Sequence, residues 1–249
     1  MQLPTVEENL ALDEALLELA HEGLAATACV RTWMATEPVV VLGSSCRLDD
    51  EVDLAACTAA GARVVRRPSG GGTVLLGPGC LMWSVIAPHP AGAPPIETLH
   101  AGMLDPLAAG ISRELTASDR TAGRRVERRG TSDLALVEDA TGGTTVERKV
   151  SGNALRVRRS GVLYHGTLLD AFDLALVDRL LRHPPREPDY RGRRPHGDFI
   201  ANLGLGRETL QRIVREAFNA TLPGGAWPRD RVARLVAERY AAHDWTSRL

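Results

Sequence analysis

Val64-Val65-Arg66-Arg67-Pro68-Ser69-Gly70-Gly71-Gly72-Thr73-Val74 passes from a β-branched stretch through two arginines and a serine into three consecutive glycines, then back into apolar residues. Three glycines destabilise any regular element, so Gly70–Gly72 must be a loop. The flanks, Ala62–Arg66 and Thr73–Leu76, predict strands. Glycines let backbone N–H groups approach a ligand closely and form an anion-binding nest. An arginine beside such a loop can clamp phosphate or carboxylate through paired hydrogen bonds. The stretch is not a nucleotide P-loop, because the G-K-[ST] element is missing. Taken alone it reads equally as a plain glycine hairpin with solvated arginines.

Working outward, Asn9–Leu24 carries an apolar stripe among acids and predicts an amphipathic helix. Val30–Met34 and Val39–Leu42 predict strands split by Glu37-Pro38, and Asp53–Gly61 a short helix closed by glycine. Leu81–Ala87 predicts a strand ended by prolines, and Glu97–Leu115 a helix. Asp133–Val137 and Val146–Val150 predict strands around Gly142-Gly143, and Leu155–Arg159 with Val162–Thr167 a hairpin around Ser160-Gly161. Phe172–Leu181, Glu208–Ala217 and Arg231–Ala242 predict helices, with an irregular Pro- and Arg-rich loop over Arg182–Pro195. Short strands in clusters with helices between and after them imply an α+β (mixed α/β) fold, a mostly antiparallel or mixed sheet flanked by helices.

The 249 residues fit one large domain or two small ones. Net charge is −1, so no global basic field argues for nucleic acid. Local arginine clusters (Arg124-Arg125, Arg128-Arg129, Arg156–Arg159, Arg191–Arg194) read as solvated faces or turns. No apolar run approaches the ~20 residues of a membrane span. The acidic N-terminal residues do not resemble a signal peptide. The four cysteines, Cys29, Cys46, Cys57 and Cys80, have no zinc or disulfide spacing, which points to a cytoplasmic, reduced protein.

Of 30 basic Lys and Arg residues, one is lysine: Lys149, within Arg148-Lys149-Val150-Ser151-Gly152-Asn153-Ala154. Arginine cannot replace lysine where a compact, flexible point charge must reach an oxygen. The segment reads as a strand that carries Lys149 and ends in a glycine turn, leaving the ammonium able to enter a cleft. A third motif, Tyr164-His165-Gly166-Thr167-Leu168-Leu169, places His165 at a strand end, as a supporting group rather than a general base.

In this order and spacing the three motifs resemble the lipoate–protein ligase A family, within the wider biotin and lipoate protein ligases. That family shows R-R-x-S-G-G-G-x-V, then K-[IV]-S-G-x-A, then H-H-G-T-L-L. Asn9–Glu14, Trp33 before Val39–Gly43, Ser132-Asp133-Leu134 and Tyr240–Trp245 are similar to smaller family features, so the resemblance covers essentially the whole chain. It implies one catalytic domain over 1–249, related to class II aminoacyl-tRNA synthetases, without the family's small C-terminal domain. It further implies an enzyme that activates lipoate or octanoate with ATP and magnesium to an acyl-adenylate. The acyl group then passes to a lysine of a 2-oxoacid dehydrogenase lipoyl domain or of the glycine-cleavage H protein.

On that resemblance Lys149 is catalytic. Arg67, Gly72, Thr73, Val74, Leu75 and Lys149 line the adenylate. Trp33, Arg66, Ser69, Gly70, Gly71, Gly72, Lys149, Ser151, Gly152, Ala154, His165, Gly166 and Thr167 hold the acyl group. Asp133 would help place magnesium or the incoming lysine, and no certain metal site is expected. Two departures matter. Leu76-Gly77 stand where the family has His-Asp, and the following Pro78-Gly79 makes a G-P-G element similar to the octanoyltransferase branch. The missing small domain implies a separately encoded accessory subunit, or an enzyme of the transfer half-reaction alone. The alternative is an octanoyl- or lipoyl-transferase using a cysteine thioester. Those enzymes place the cysteine before the lysine strand or after the histidine motif, and this chain has none after Cys80. Cys46 and Cys80 would then be the nucleophile candidates. A biotin ligase is disfavoured because Ser-Gly-Gly-Gly replaces its G-R-G-R-x-G-R loop, and a non-catalytic acyl-binding subunit stays open.

Overall fold

The computed structural model describes residues 2–117, 123–140 and 143–249. Two sheets organise the chain. Strands β1 (Cys29–Met34), β5 (Cys80–Pro88), β6 (Arg124–Arg129), β7 (Asp133–Asp139), β8 (Thr145–Arg158) and β9 (Gly161–Leu169) form a six-stranded sheet in the order β1-β5-β9-β8-β7-β6. Every neighbouring pair in it is antiparallel. Strands β2 (Val39–Leu42), β3 (Arg63–Arg66) and β4 (Val74–Leu76) form a small mixed sheet, β2 parallel to β3 and antiparallel to β4. The α+β class with a mostly antiparallel sheet flanked by helices is the observed architecture.

Two apolar cores lie on opposite faces of the large sheet, and one of them is shared with the small sheet. The helix Val6–His21 starts with a capping box between Thr5 and Glu8, which satisfies orphan N–H groups reciprocally. Its Leu10 and Leu12 pack with Trp33, β2 and Leu76 in one apolar cluster. The helices Ile96–Ala117 and Arg207–Ala217 cover the other face of the large sheet, over Trp83, Leu136, Val150 and Tyr164. No described helix is long and apolar enough to cross a membrane.

Several elements differ from expectation. β6 is a strand, although its arginines suggested a solvated face or turn; it is the sheet edge, where charge discourages pairing with another chain. Its arginines pair with acids on neighbouring elements, Arg124 with Glu138 at 3.1 Å and Arg129 with Glu147 at 2.8 Å. β8 does not stop at Gly152 but runs on to Arg158, because β9 supplies partners for Asn153 onward. Of the expected Gly142-Gly143 turn, Gly142 lies outside the described residues, and Gly143 has a positive φ of 77°. The helix expected over Phe172–Leu181 is shorter, Ala175–Leu180, with Phe172 folded into the core. The loop 182–195 contains one 3-10 turn, Asp189–Arg191. The helix expected over Arg231–Ala242 starts at Arg229 and continues through a π-helical turn to Tyr240, and a short helix, His243–Thr246, follows.

Candidate active site

The glycine loop between β3 and β4 is fastened from beneath by Arg67. Its Nη2 donates to the carbonyls of Gly70 (2.6 Å) and Gly72 (2.8 Å), its Nη1 to Val41 (3.2 Å), and its Nε to Ser69 Oγ (3.1 Å). Burial, only partly offset by Cys46 and the Glu51 carboxylate, lowers its pKa to about 10. A second fastening comes from Gly43: a Cβ there would lie 1.9 Å from the Gly71 carbonyl oxygen. Only glycine lets the end of β2 pass so close to the loop. The Cys46 thiol donates to the same carbonyl at 3.3 Å.

Lys149 reaches this loop because β8 is bulged. Opposite the consecutive residues Leu134 and Ala135 of β7 stand Ser151 and Lys149, so Val150 is an extra residue. Such a bulge re-aims a side chain. The Ala201 amide donates to the Lys149 carbonyl at 2.9 Å and braces it from the other side. The ammonium then lies 2.8 Å from Asp133 Oδ1, while Tyr190 Oη donates to Oδ2 at 3.0 Å. Burial and the Asp133 charge push the Tyr190 hydroxyl far up, so it stays protonated and remains a donor.

Two cavities meet at Lys149. The larger, about 380 Å³, is lined by Gly72–Leu75, by apolar Phe172, Val177, Leu181, Phe199 and Ile200, and by loop residues including Arg182 and Arg191. The smaller, about 150 Å³, is lined by Leu10, Val41, Met82, Gly71, Ala154, His165 and Gly166. Gly72, Thr73, Val74, Ser132, Asp133, Lys149, Gly152 and Thr167 line both. Lys149 therefore faces a wider chamber with an apolar wall and arginines on one side, and on the other a narrower one of mixed polar and apolar lining that includes Arg67. That arrangement suits an acyl group joined through its carboxyl to something larger and charged.

The expected residues divide accordingly. Arg67, Gly71–Leu75, Asp133, Lys149, Gly152, Ala154, His165, Gly166 and Thr167 all line one cavity or both. Four others do not. Arg66 is fully buried and turned away: its guanidinium donates to the carbonyls of Gly43, Cys46, Trp245 and Thr246. Trp33 is core, packed in β1 opposite Met82. Ser151 is buried and bonds Asn153, and Gly70 lines neither cavity. Ser69 also stays behind the wall, but its Oγ lies 2.5 Å from His165 Nε2. Asp133, expected to help place magnesium or the incoming lysine, has one oxygen engaged by Lys149 and the other by Tyr190. Among the described residues no group of three or more His, Cys, Asp or Glu is placed to hold a metal ion.

Tyr190, Arg191, Glu51 and the apolar wall of the larger cavity were not expected. Glu51 Oε2 accepts from the Thr73 amide at 3.0 Å and fixes the start of β4. A lone tyrosine inside the Pro- and Arg-rich 182–195 segment was the available signal for Tyr190. The cysteines are elsewhere: none lines either cavity. Cys80 is fully buried and its pKa is pushed up to about 12, and burial with the Glu51 contact raises that of Cys46.

Comparison with known proteins adds three findings. The family model described as "Lipoyl protein ligase A/B catalytic domain" matches residues 5–220. Among curated relatives, an octanoyltransferase LipM of Symbiobacterium thermophilum is 32% identical over 97% of this chain and 94% of its own. One of Carboxydothermus hydrogenoformans is 28% identical over the same shares. Among solved structures, a bi-partite lipoate protein ligase of Thermoplasma acidophilum superimposes with TM-score 0.79 at 19% identity, covering 99% of this chain and 94% of that one. A lipoate-protein ligase A bound with ATP gives TM-score 0.75 at 20% identity, covering 99% and 96%.

Proposed function

Given that the chain belongs to the lipoyl protein ligase A/B catalytic domain family, and so is an enzyme of the lipoyl ligase and transferase type, we propose that it moves a lipoyl or octanoyl group onto an acceptor lysine by way of an acyl-adenylate. In this reading 1–249 acts as one catalytic unit, and the acceptor is a lipoyl domain or H protein. The observation that carries it is the position of Lys149 at the junction of two cavities, neither of which a cysteine lines. A thioester route needs a thiolate in reach of the acyl carbonyl. Here the accessible cation does the work: Lys149 stabilises negative charge growing on the acyl and phosphoryl oxygens as the acyl–phosphate bond breaks. Asp133 and Tyr190 hold its ammonium in place. The smaller cavity takes the acyl chain and the larger takes the nucleotide, with magnesium arriving on the ATP rather than in a protein cage. The accessory subunit of a bi-partite ligase is part of the proposal for the activation half.

The second reading, octanoyl transfer from an acyl carrier, is favoured by the near full-length similarity to octanoyltransferases LipM and by Gly77-Pro78-Gly79. One experiment separates the two: the intact mass of an apo lipoyl domain after incubation with the protein and lipoate, ATP and magnesium, or with octanoyl-carrier protein alone. Addition of a lipoyl group only with ATP, or only from preformed lipoyl-adenylate, supports the adenylate route. An octanoyl adduct without ATP transfers the protein to the second reading. Silence in every arm removes both.

A further inference from the structure

At the wall of the smaller cavity, Arg67, Ser69 and His165 form a hydrogen-bonded line, with Ser69 behind the two that line it. Arginine has no acceptor, so Arg67 Nε donates to Ser69 Oγ at 3.1 Å. Ser69 is 1% exposed, and among the described residues the one acceptor left for its hydroxyl proton is His165 Nε2, at 2.5 Å. A buried hydroxyl is satisfied when it donates there. Nε2 is then the bare nitrogen, and the proton of the neutral ring sits on Nδ1. No described group bonds Nδ1, and it is not among the sealed, unpartnered atoms. His165 lines the smaller cavity. Burial and the Arg67 charge lower its pKa to about 3, which keeps the ring neutral.

Its place on β9 fixes what it meets. Thr167 lies two residues along the same strand face, and its Oγ1 is 3.2 Å from the Gly152 amide, next to Lys149. Two strand residues span roughly 6.6 Å. We propose that His165 is a fixed Nδ1–H donor, its tautomer set by Arg67 through Ser69, that meets a sulfur of a dithiolane ring when the carboxyl end of a lipoyl chain is at Lys149. The smaller cavity thereby prefers lipoyl over octanoyl groups. Arg67 and Ser69 are positioning residues here, acting through His165. This rests on the assignment of the acyl chain to the smaller cavity.

Long-range ¹H–¹⁵N spectra of histidine-labelled protein test the relay without any ligand. The His165 signals are identified by their loss in His165→Gln or His165→Leu. The expected result is a neutral Nδ1–H ring that becomes a tautomer mixture in Ser69→Ala. An Nε2–H ring or an imidazolium at neutral pH overturns the proposal. Calorimetric affinities for lipoate and octanoate test the contact. A several-fold preference for lipoate is expected, lost in His165→Leu, reduced in Ser69→Ala and partly kept in His165→Gln, which still offers an N–H. An Nδ1–H ring with the preference unchanged in His165→Leu overturns the sulfur contact. If neither acid binds, the assignment of the acyl chain to the smaller cavity loses its support and the sulfur contact falls with it, while the spectra still decide the relay.

Discussion

Lys149 Nζ and Asp133 Oδ1 lie 2.8 Å apart, on neighbouring antiparallel strands but out of direct register. The bulge at Val150 brings them together, and the Tyr190 hydroxyl on Asp133 Oδ2 completes the line. A flexible four-carbon side chain is thus held in one place at the meeting point of two cavities. Preorganised charge of this kind needs no reorganisation when the transition state forms.

Lys149→Ala is expected to lower acyl transfer by at least about 10²-fold, the scale of losing one transition-state stabilising group. Lys149→Arg should fail nearly as badly, because the bulkier planar guanidinium does not fit the space the ammonium occupies against Gly152 and would pair with Asp133 in a different geometry. Single-turnover transfer from preformed acyl-adenylate checks both, with circular dichroism confirming the fold.

Asp133→Asn should reduce transfer roughly 10-fold or more by freeing the ammonium, and Tyr190→Phe by less, since one of two contacts to Asp133 remains. Most of each loss should fall on kcat rather than KM. The ratio of the two parameters is the measurement.

The four cysteines are expected to be dispensable for chemistry. A variant with Cys46, Cys57 and Cys80 replaced by Ala and Cys29 by Ser should keep transfer activity within a few fold, with some loss of stability from the buried sites. Loss of activity with an intact fold would point to a thioester.

Gly43→Ala should disturb the glycine loop, since its methyl would overlap the Gly71 carbonyl. A destabilisation of about 1–3 kcal/mol is expected, as for overpacking elsewhere, with a larger loss of acyl binding. Thermal denaturation and calorimetry separate the two effects.

Stability should fall in acid through His165. Its folded pKa is lowered from 6.5 to about 3, so between those values the unfolded chain binds the extra proton. This contribution is complete above about pH 6.5 and is lost as pH falls toward 3. A urea midpoint series across that window checks it, with His165→Gln flattening part of the slope.

Much of this was legible in the chain. Lys149 stood out by its solitude, and the glycine loop by three residues that fit no regular element. The class of fold followed from short strand periods between amphipathic stretches. What escaped was non-local. Arg66 and Arg67 are adjacent and chemically identical, and strand alternation sends one toward residues 245–246 and the other under the loop. Nothing in the local pattern says which. Tyr190 and Phe199 reach the site only through the path of an irregular segment. Trp33 read as a ligand contact because an aromatic side chain serves a core as well as a pocket.

The bonds from Arg66 to the carbonyls of Trp245 and Thr246, returned by Trp245 Nε1 to the Arg66 carbonyl, bear on how the protein comes into being. A ribosome delivers β3 early and residues 245–246 some 180 positions later. Until they emerge, the Arg66 guanidinium has only the carbonyls of Gly43 and Cys46 among its acceptors. The strand leading into the glycine loop is thus completed by residues made long after it, although the loop itself is closed by local bonds from Arg67.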